Sequence, residues 1–283
     1  MAAAPGRKSH VRPPYAPWHP AAAFHAERDL APVRAAEGSA SVVEGACSSW
    51  FGWDRASALA SQGYAARAAG DLERGARLMR GALSLFGALD DLGSARPVYV
   101  ALIELHFAAG DYTAAADVAR EALTLFPGHQ DARVGLAYAR WYEGHSADAI
   151  TLLSEAVADE PGKRAARRAR GQILADLGRA MAALADLDPD DDDPDARSAL
   201  ALALDALGRI DEADRELDRA LDLAPDRPRT HLRSARIALR RGDTRLARES
   251  LQRTLAGRPP LPPAHAAEAQ RLLRAMPVAD PAP

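Results

Sequence analysis

The sequence is poor in several features on which many protein functions depend. Of its 283 residues one is a cysteine, Cys47, and 5% are aromatic. A single cysteine excludes an internal disulfide and a cysteine-based zinc site. No apolar run reaches the roughly 18 residues of a membrane-spanning helix, so we expect no segment to cross a bilayer. Few aromatics beside 48% hydrophobic residues suit closely packed, alanine-rich helices better than a thick sheet core.

An excess of charge of one sign is also missing. The formal net charge is -3, and lysine occurs only at Lys8 and Lys163, with arginine supplying every other cation. We interpret the arginine preference as codon bias in a GC-rich genome. Because a nearly neutral chain has no overall field that favours phosphates, we expect neither nucleic acid nor a membrane surface as a partner.

Catalytic signatures are absent as well. The sequence contains no phosphate-binding P-loop, no glycine-rich dinucleotide turn, no His-Glu-x-x-His motif and no serine elbow. Its eight histidines are scattered, and no two lie four residues apart on one helix, as a zinc site of that kind requires. We therefore expect no catalytic residue, no metal and no cofactor, and we favour a binding function.

What the sequence does contain is a repeat of 34 residues. The unit spans residues 96–129 and is stated again over residues 130–163. In each copy a glycine turn separates two predicted helices, and a proline closes the second helix. Since a fixed period of this length indicates a repeat architecture, we followed it along the chain.

Four columns of residues keep one register. Glycine marks the turn inside each unit, a small residue follows five positions later, a second follows seven further on, and proline ends the unit. The glycines are Gly70, Gly110, Gly144, Gly178, Gly208 and Gly242; the first small residues are Gly75, Ala115, Ala149, Ala183, Ala213 and Ala247; the second are Ala82, Ala122, Ala156, Ala220 and Thr254; the prolines are Pro127, Pro161, Pro225 and Pro259. Small side chains there let the two helices of a unit approach closely.

These columns resemble the tetratricopeptide repeat family, whose unit is a 34-residue helix-turn-helix. The resemblance covers residues 56–261 as six repeats and implies an all-α, right-handed α-solenoid, and a C-terminal capping helix is predicted at 262–276. The sequence departs from the family pattern at Ile103, where the first helix of a unit usually has a small residue. It also departs in the fourth repeat, whose second helix we expect to stop near Leu187.

The segments outside the repeats are assigned from composition. Residues 1–41 are proline-rich and predict a disordered N-terminal arm, which stays free or docks on a partner or on the protein's own groove. Residues 42–55 predict an apolar N-terminal cap, with Asp54 as the N-cap of a helix that begins beside it. Residues 277–283 predict a disordered tail. The arm lacks the apolar core of a signal peptide, so we expect a cytoplasmic protein.

Two segments concentrate one charge. Residues 186–195 carry seven aspartates in ten positions, and their repulsion together with two prolines predicts a solvated loop. A calcium loop would need glycine in place of Asp193 and glutamate in place of Ala199, so metal binding is the weaker alternative. The basic run at 163–170 is interpreted as one face of a helix, with nucleic-acid binding as its alternative.

In the family, the first helices of successive units line a concave groove that holds extended peptides or partner helices. By the resemblance, the candidate partner-binding residues of this groove are Tyr64, Phe107, Tyr138, Trp141, Tyr142, Arg168, Gln172, Arg236 and Arg240. The groove would be aromatic in its N-terminal half and arginine-bearing further on. For Trp141 and Tyr142 we keep the alternative that they pack between repeats as core, whereas Tyr138 is expected to face the groove.

We therefore expect a non-catalytic scaffold or adaptor that binds a protein segment or peptide in its concave groove. Aromatic and arginine side chains would suit a segment with apolar anchors and acidic groups. Two alternatives remain, which are a peptide-sensing regulatory subunit and an accessory protein of an enzyme complex. A homodimer formed through an uncapped end of the solenoid is a further alternative.

Overall fold

A computed structural model of the protein describes residues 40–258 and 260–276, and its side chains from residue 52 onward. The described residues form thirteen α-helices and no strand. The helices are α1 (Ala40–Ala68), α2 (Leu72–Ala88), α3 (Leu92–Ala109), α4 (Tyr112–Leu125), α5 (Gln130–Tyr142), α6 (Ser146–Asp159), α7 (Arg164–Asp176), α8 (Ala180–Asp186), α9 (Pro194–Ala206), α10 (Ile210–Leu223), α11 (Pro228–Arg241), α12 (Thr244–Ala256) and α13 (Pro263–Ala275).

The helices pair as the repeat predicts. Each odd-numbered helix from α1 to α11 packs against the helix that follows it, giving six helix-turn-helix units and a final single helix, α13. The first helices α3, α5, α7, α9 and α11 also pack side by side in that order. This arrangement confirms the predicted all-α solenoid and its C-terminal capping helix. We call the side that the first helices share the concave face.

Local chemistry explains why the helices turn where they do. The six predicted turn glycines all have a left-handed backbone, with φ between 74° and 95°. A residue with a Cβ is strained in that conformation, so glycine is the natural stop for the first helix of each unit. At several turns an aspartate starts the second helix: the side chains of Asp71, Asp111 and Asp243 accept a hydrogen bond from a backbone N–H of the first turn.

The predicted small residues lie where paired helices cross. Ala115, Ala149 and the other alanines of the first column have no exposed surface. At the α1–α2 crossing two glycines, Gly63 and Gly75, face each other. A Cβ added to either one would lie 3.3 Å from the carbonyl oxygen of the other, which leaves little room for a larger residue. The large side chain of Ile103, which departs from the family pattern, fits because the residue facing it in the next unit is a glycine. A Cβ on Gly135 would lie only 2.9 Å from the Ile103 side chain.

The start of the solenoid differs from expectation. Helix α1 runs without interruption from Ala40, so Asp54 lies inside a helix and the prediction that it is an N-cap is wrong. The stretch before Asp54 contains no proline, and nothing else in it forces a break. Trp53 connects this helix to the turn between α2 and α3 by donating its indole N–H to Asp91, at 2.9 Å. The side chain of Cys47 lies outside the described ones, as do the predicted tail and residues 1–39 of the predicted arm. Residues 40 and 41, which were assigned to the arm, are the first two of α1.

The compressed fourth unit follows the prediction. Helix α8 has seven residues and ends at Asp186, and the acidic segment continues as a loop until α9 begins at Pro194. The last helix, α13, packs its apolar stripe on α11 and α12 through buried Ala269 and Met276, with the side chains of Leu272 and Leu273 partly buried beside them. It also reaches across the concave face to α5.

Candidate partner-binding site

The concave face is not an open groove opposite the third repeat. His265 of α13 lies against α5, with its ring centroid 5.1 Å from that of Trp141 and 6.1 Å from that of Tyr142. The solenoid therefore winds far enough to bring its last helix over its third unit. The concave face is therefore covered at this place by the chain's own last helix.

Beneath this cover lies a cluster of five aromatic side chains from α3, α4 and α5, which we call the aromatic cluster. Its members are Phe107, Tyr112, Tyr138, Trp141 and Tyr142, and neighbouring ring centroids lie 5.1 to 6.1 Å apart. Several pairs are edge-to-face or tilted, the geometry in which aromatic rings attract one another. The two predicted tyrosines, the tryptophan and Phe107 are thus brought together as the resemblance implied.

Burial divides the aromatic cluster into two parts. Tyr138 is 2% exposed and Trp141 is 3% exposed, so the core alternative holds for Trp141. Tyr138 was expected to face the groove; its side chain is buried, and it lines the cavity described below. The Tyr138 hydroxyl donates to the side-chain oxygen of buried Gln172, at 3.3 Å. Phe107, Tyr112 and Tyr142 are half-buried. Burial raises the pKa of Tyr112 to about 12, so its phenol stays neutral at physiological pH.

A cavity of about 310 Å³ opens beside the half-buried rings. Its walls come from the α3–α4 turn, from α5, from the first turn of α11 and from the segment that leads into α13. Prolines 228, 260, 262 and 263 form much of the far wall. The site is therefore a partly closed compartment at the place where the N-terminal and C-terminal repeats meet.

The three arginines predicted to face a partner already have carboxylates of the chain itself beside them. Arg168 donates to Asp191 at 2.6 Å, and Arg240 donates to Asp205 at 2.5 Å. Arg236 is shared between Asp176 on α7 and Glu268 on α13. The C-terminal part of the concave face is thus filled by ion pairs, and the arginine-bearing open groove expected there is not found.

The ion pairs around Asp176 are buried. Arg233 has no exposed surface and binds Asp176 through two nitrogens, each at 2.9 Å. Burial alone would raise the pKa of Asp176, but Arg233 and Arg236 hold it well below its usual range. The carboxylate therefore stays ionised in the folded protein. Sequence reasoning missed Arg233, although its spacing of three from Arg236 places both on one helix face.

The acidic segment is a loop that is solvated only in part. Asp190 and Asp192 are exposed, as expected, whereas Asp188 and Asp191 pair with Arg164 and Arg168. Asp186, the last residue of α8, is buried and accepts two hydrogen bonds from Arg170. The basic run therefore neutralises part of the acidic run, which corrects the expectation that the whole segment is free in solvent. Two complementary charged runs about twenty residues apart are the signal in the sequence from which this pairing could have been expected.

Tyr64 stands apart from the aromatic cluster. It lies on α1 and is 39% exposed, and its neighbour Arg67 forms an ion pair with buried Glu104. Within the described part of the chain, no three histidine, cysteine, aspartate or glutamate side chains are arranged to hold a metal ion. None of the described helices is both long and apolar enough to span a membrane.

The repeat architecture is matched by known families. Two tetratricopeptide repeat family models fit the chain, one over residues 106–173 and the other over residues 60–130 and 198–264. Together they take in well over half of the sequence, and the protein belongs to the tetratricopeptide repeat family. Members of this family are generally non-catalytic protein-interaction modules. No curated protein matches the sequence.

Solved structures agree with this fold. A tetratricopeptide repeat protein from Parabacteroides merdae is 15% identical, with a TM-score of 0.52 over 80% of this chain and 95% of that one. PilW, a type IV pilus biogenesis factor, is 17% identical, with a TM-score of 0.52 over 77% of this chain and 98% of that one. The APC/C hetero-tetramer Cut9-Hcn1 gives 16% identity and a TM-score of 0.59, covering 78% of this chain but 42% of that one. At such identities the likeness shows the fold alone.

Proposed function

We propose that this protein is a non-catalytic scaffold that holds a segment of a partner protein against the N-terminal half of its concave face. The observation that carries the proposal is the half-buried part of the aromatic cluster, where Phe107, Tyr112 and Tyr142 border a cavity of about 310 Å³. Aromatic side chains in a partly closed, apolar site supply much of the energy of protein interfaces.

The same reasoning moves the binding surface away from the C-terminal repeats. Arg168, Arg236 and Arg240 already pair with carboxylates of the chain, so a partner would have to break those ion pairs to use them. A segment that contacts α3, α4 and α5 breaks none of them. The peptide-sensing alternative would use the same surface, whereas the enzyme-accessory alternative would use the N-terminal arm, and the partner's identity distinguishes them. The cytoplasmic location and the homodimer stay predictions.

Site-specific photo-cross-linking tests the proposal. A photoreactive phenylalanine analogue replaces Tyr112 in one variant and Leu125 in the other, and both positions belong to α4. Tyr112 borders the cavity, whereas Leu125 is 44% exposed and does not line it. We expect one protein of the native cell extract to be cross-linked at position 112 and not at position 125. The same adducts at both positions, or none at 112, would exclude the N-terminal concave face as the binding surface.

A further inference from the structure

Arg229 lines the cavity and differs from the other arginines of its helix. It lies in the first turn of α11 and is 6% exposed. Its guanidinium carbon stacks 4.4 Å from the ring centroid of Trp141 and 4.7 Å from that of Tyr142. Among the described residues, its Nε has no hydrogen-bond partner and no carboxylate lies within ion-pair distance of the guanidinium.

The neighbouring carboxylates do not contact it. Arg227 is bound by both oxygens of Asp195, and the carboxylate of Asp176 is already engaged by Arg233 and Arg236. Burial acts to lower the pKa of Arg229, but nearby Tyr142, Asp195 and Asp176 raise it, so the side chain stays a cation in the fold. An anion that enters the cavity can therefore pair directly with this guanidinium without breaking an existing ion pair.

The walls of the cavity select the kind of anion. Phe107 and the aromatic faces of Tyr112 and Tyr142 offer apolar contact, and the prolines on the opposite side have no backbone N–H to donate. A phosphate brings a charge of about −1.5 to −2, and the carboxylate of Asp195, which also lines the cavity, repels that charge more strongly than a single one. A carboxylate brings a single charge and matches the fork of one guanidinium.

We propose that this cavity binds an aromatic or aliphatic carboxylic acid. Arg229 is the counter-ion of its carboxylate, and the half-buried rings contact its apolar part. Its volume of about 310 Å³ is at the lower end of the range for small-molecule sites. The carboxylate belongs to a free acid or to an acidic group of the segment bound by the scaffold. In the second case the inference rests on the proposed function.

Calorimetric titration of the full-length protein tests the ligand class. The probes are 3-phenylpropionate, its neutral analogue 3-phenylpropanamide, and phenyl phosphate. We expect saturable binding of the acid, with at least tenfold weaker binding of the amide and of the phosphate. Equal affinity for the acid and the amide would show that the negative charge of the ligand does not contribute to binding. Tighter binding of the phosphate would overturn the choice of a carboxylate.

Variants assign the charge to one residue. Arg229→Gln should weaken binding of 3-phenylpropionate at least tenfold, and Arg229→Lys, which keeps the charge, should restore a part of it. Arg240→Gln is the matched control, because Arg240 is on the same helix but does not line the cavity. Circular dichroism melting establishes that each variant is folded. Wild-type affinity in the Arg229→Gln variant would overturn the proposal.

Peptides distinguish the two sources of the carboxylate. Hexapeptides that end in phenylalanine, with a free carboxylate or with an amide, are titrated beside the free acid. Binding of the free acid alone assigns the cavity to a small molecule, and binding of the peptide acid assigns it to a partner segment; failure of both overturns the inference. Cross-linking at position 112 in the Arg229→Gln variant separates the two proposals, since a retained adduct supports the scaffold function even where carboxylate binding fails.

Discussion

The first three repeats and the last three use the same backbone design but fill it differently. No phenylalanine, tyrosine or tryptophan occurs after Tyr142. The first repeats pack around large apolar side chains such as Met79, Phe86 and Leu102. Among the described side chains, Glu104 is the only buried charged or polar one before Gln172, whereas many buried ones follow.

The difference shows two ways of joining neighbouring units in one solenoid. In the N-terminal half the interior is continuous apolar packing, which is favourable with many side-chain combinations of suitable size. In the C-terminal half alanine and leucine leave a thinner interior, and arginines on α11 connect this helix to α7, α9 and α13 through fixed ion pairs. Ion pairs demand exact partners, so the C-terminal half should tolerate fewer substitutions on its concave face.

The largest effect is expected where an ion pair of the C-terminal half is broken. Asp176→Asn leaves buried Arg233 without its carboxylate, and loss of one member of such a pair costs about 3–5 kcal/mol of unfolding free energy. Urea denaturation followed by circular dichroism measures it. Asp148→Asn is the control, because the ion pair of Asp148 with Arg140 is exposed. An unchanged midpoint for Asp176→Asn would show that the C-terminal half does not depend on this network.

A somewhat smaller effect is expected from charge placed in the apolar packing of the third repeat. Ala149→Arg forces a long side chain into the α5–α6 crossing, where Ala149 has no exposed surface, and should lower the unfolding free energy by about 2 kcal/mol or more. Ala147→Arg, two positions away on the exposed side of α6, is the matched control. Equal melting temperatures for the two variants would mean that the assigned register of the repeat is wrong.

The smallest effect concerns the contact between α13 and α5, where the two halves of the solenoid meet. It appears as a pH dependence of stability. Burial, together with nearby Arg229, lowers the pKa of His265 to about 3, so the folded protein does not take up the proton that the unfolded chain binds below its pKa of about 6.5. Stability is therefore lost as pH falls through this window, by about 1–2 kcal/mol between pH 7 and pH 5.

The variant His265→Gln should lose this part of the pH dependence. Aspartates contribute little above pH 5, since their unfolded pKa is about 3.9, and the other histidines act equally in both proteins. Denaturation midpoints of the two proteins at pH 7 and pH 5 give the comparison. If both proteins lose the same unfolding free energy over this interval, His265 takes up a proton in the folded protein as readily as in the unfolded one. The contact between α13 and α5 would then be less closed than described.

Sequence reasoning predicted the features that short-range rules control. The turn glycines, the buried small residues and the short α8 depend only on residues within one unit, and all were placed correctly. The pairing of the acidic run with the basic run was missed, although both charged runs lie in a single repeat. It was missed because the acidic run at 186–195 was interpreted by itself, without considering that the basic run at 163–170 could pair with it.

The shape of the site was beyond the sequence for a different reason. Contact between Trp141 and His265 depends on the accumulated rotation of all the units between them, and a small error in each unit moves the end far away. Arg229 and Arg233 share one face of α11 with Arg236, and that stripe is visible in the sequence at spacings of four and three. Which carboxylates meet the stripe is decided only by the winding of the solenoid.

The contact between α13 and α5 has a consequence for the order in which the chain is made. In a solenoid whose repeats contact only their neighbours, each unit can be completed as soon as the next one has been made. Here Trp141 and Tyr142 are translated more than a hundred residues before the helix that covers them, which at 5–20 residues per second is a delay of roughly ten seconds. During that time the aromatic cluster lacks its covering helix, so a nascent chain of this protein offers chaperones an apolar surface that is partly covered in the finished molecule.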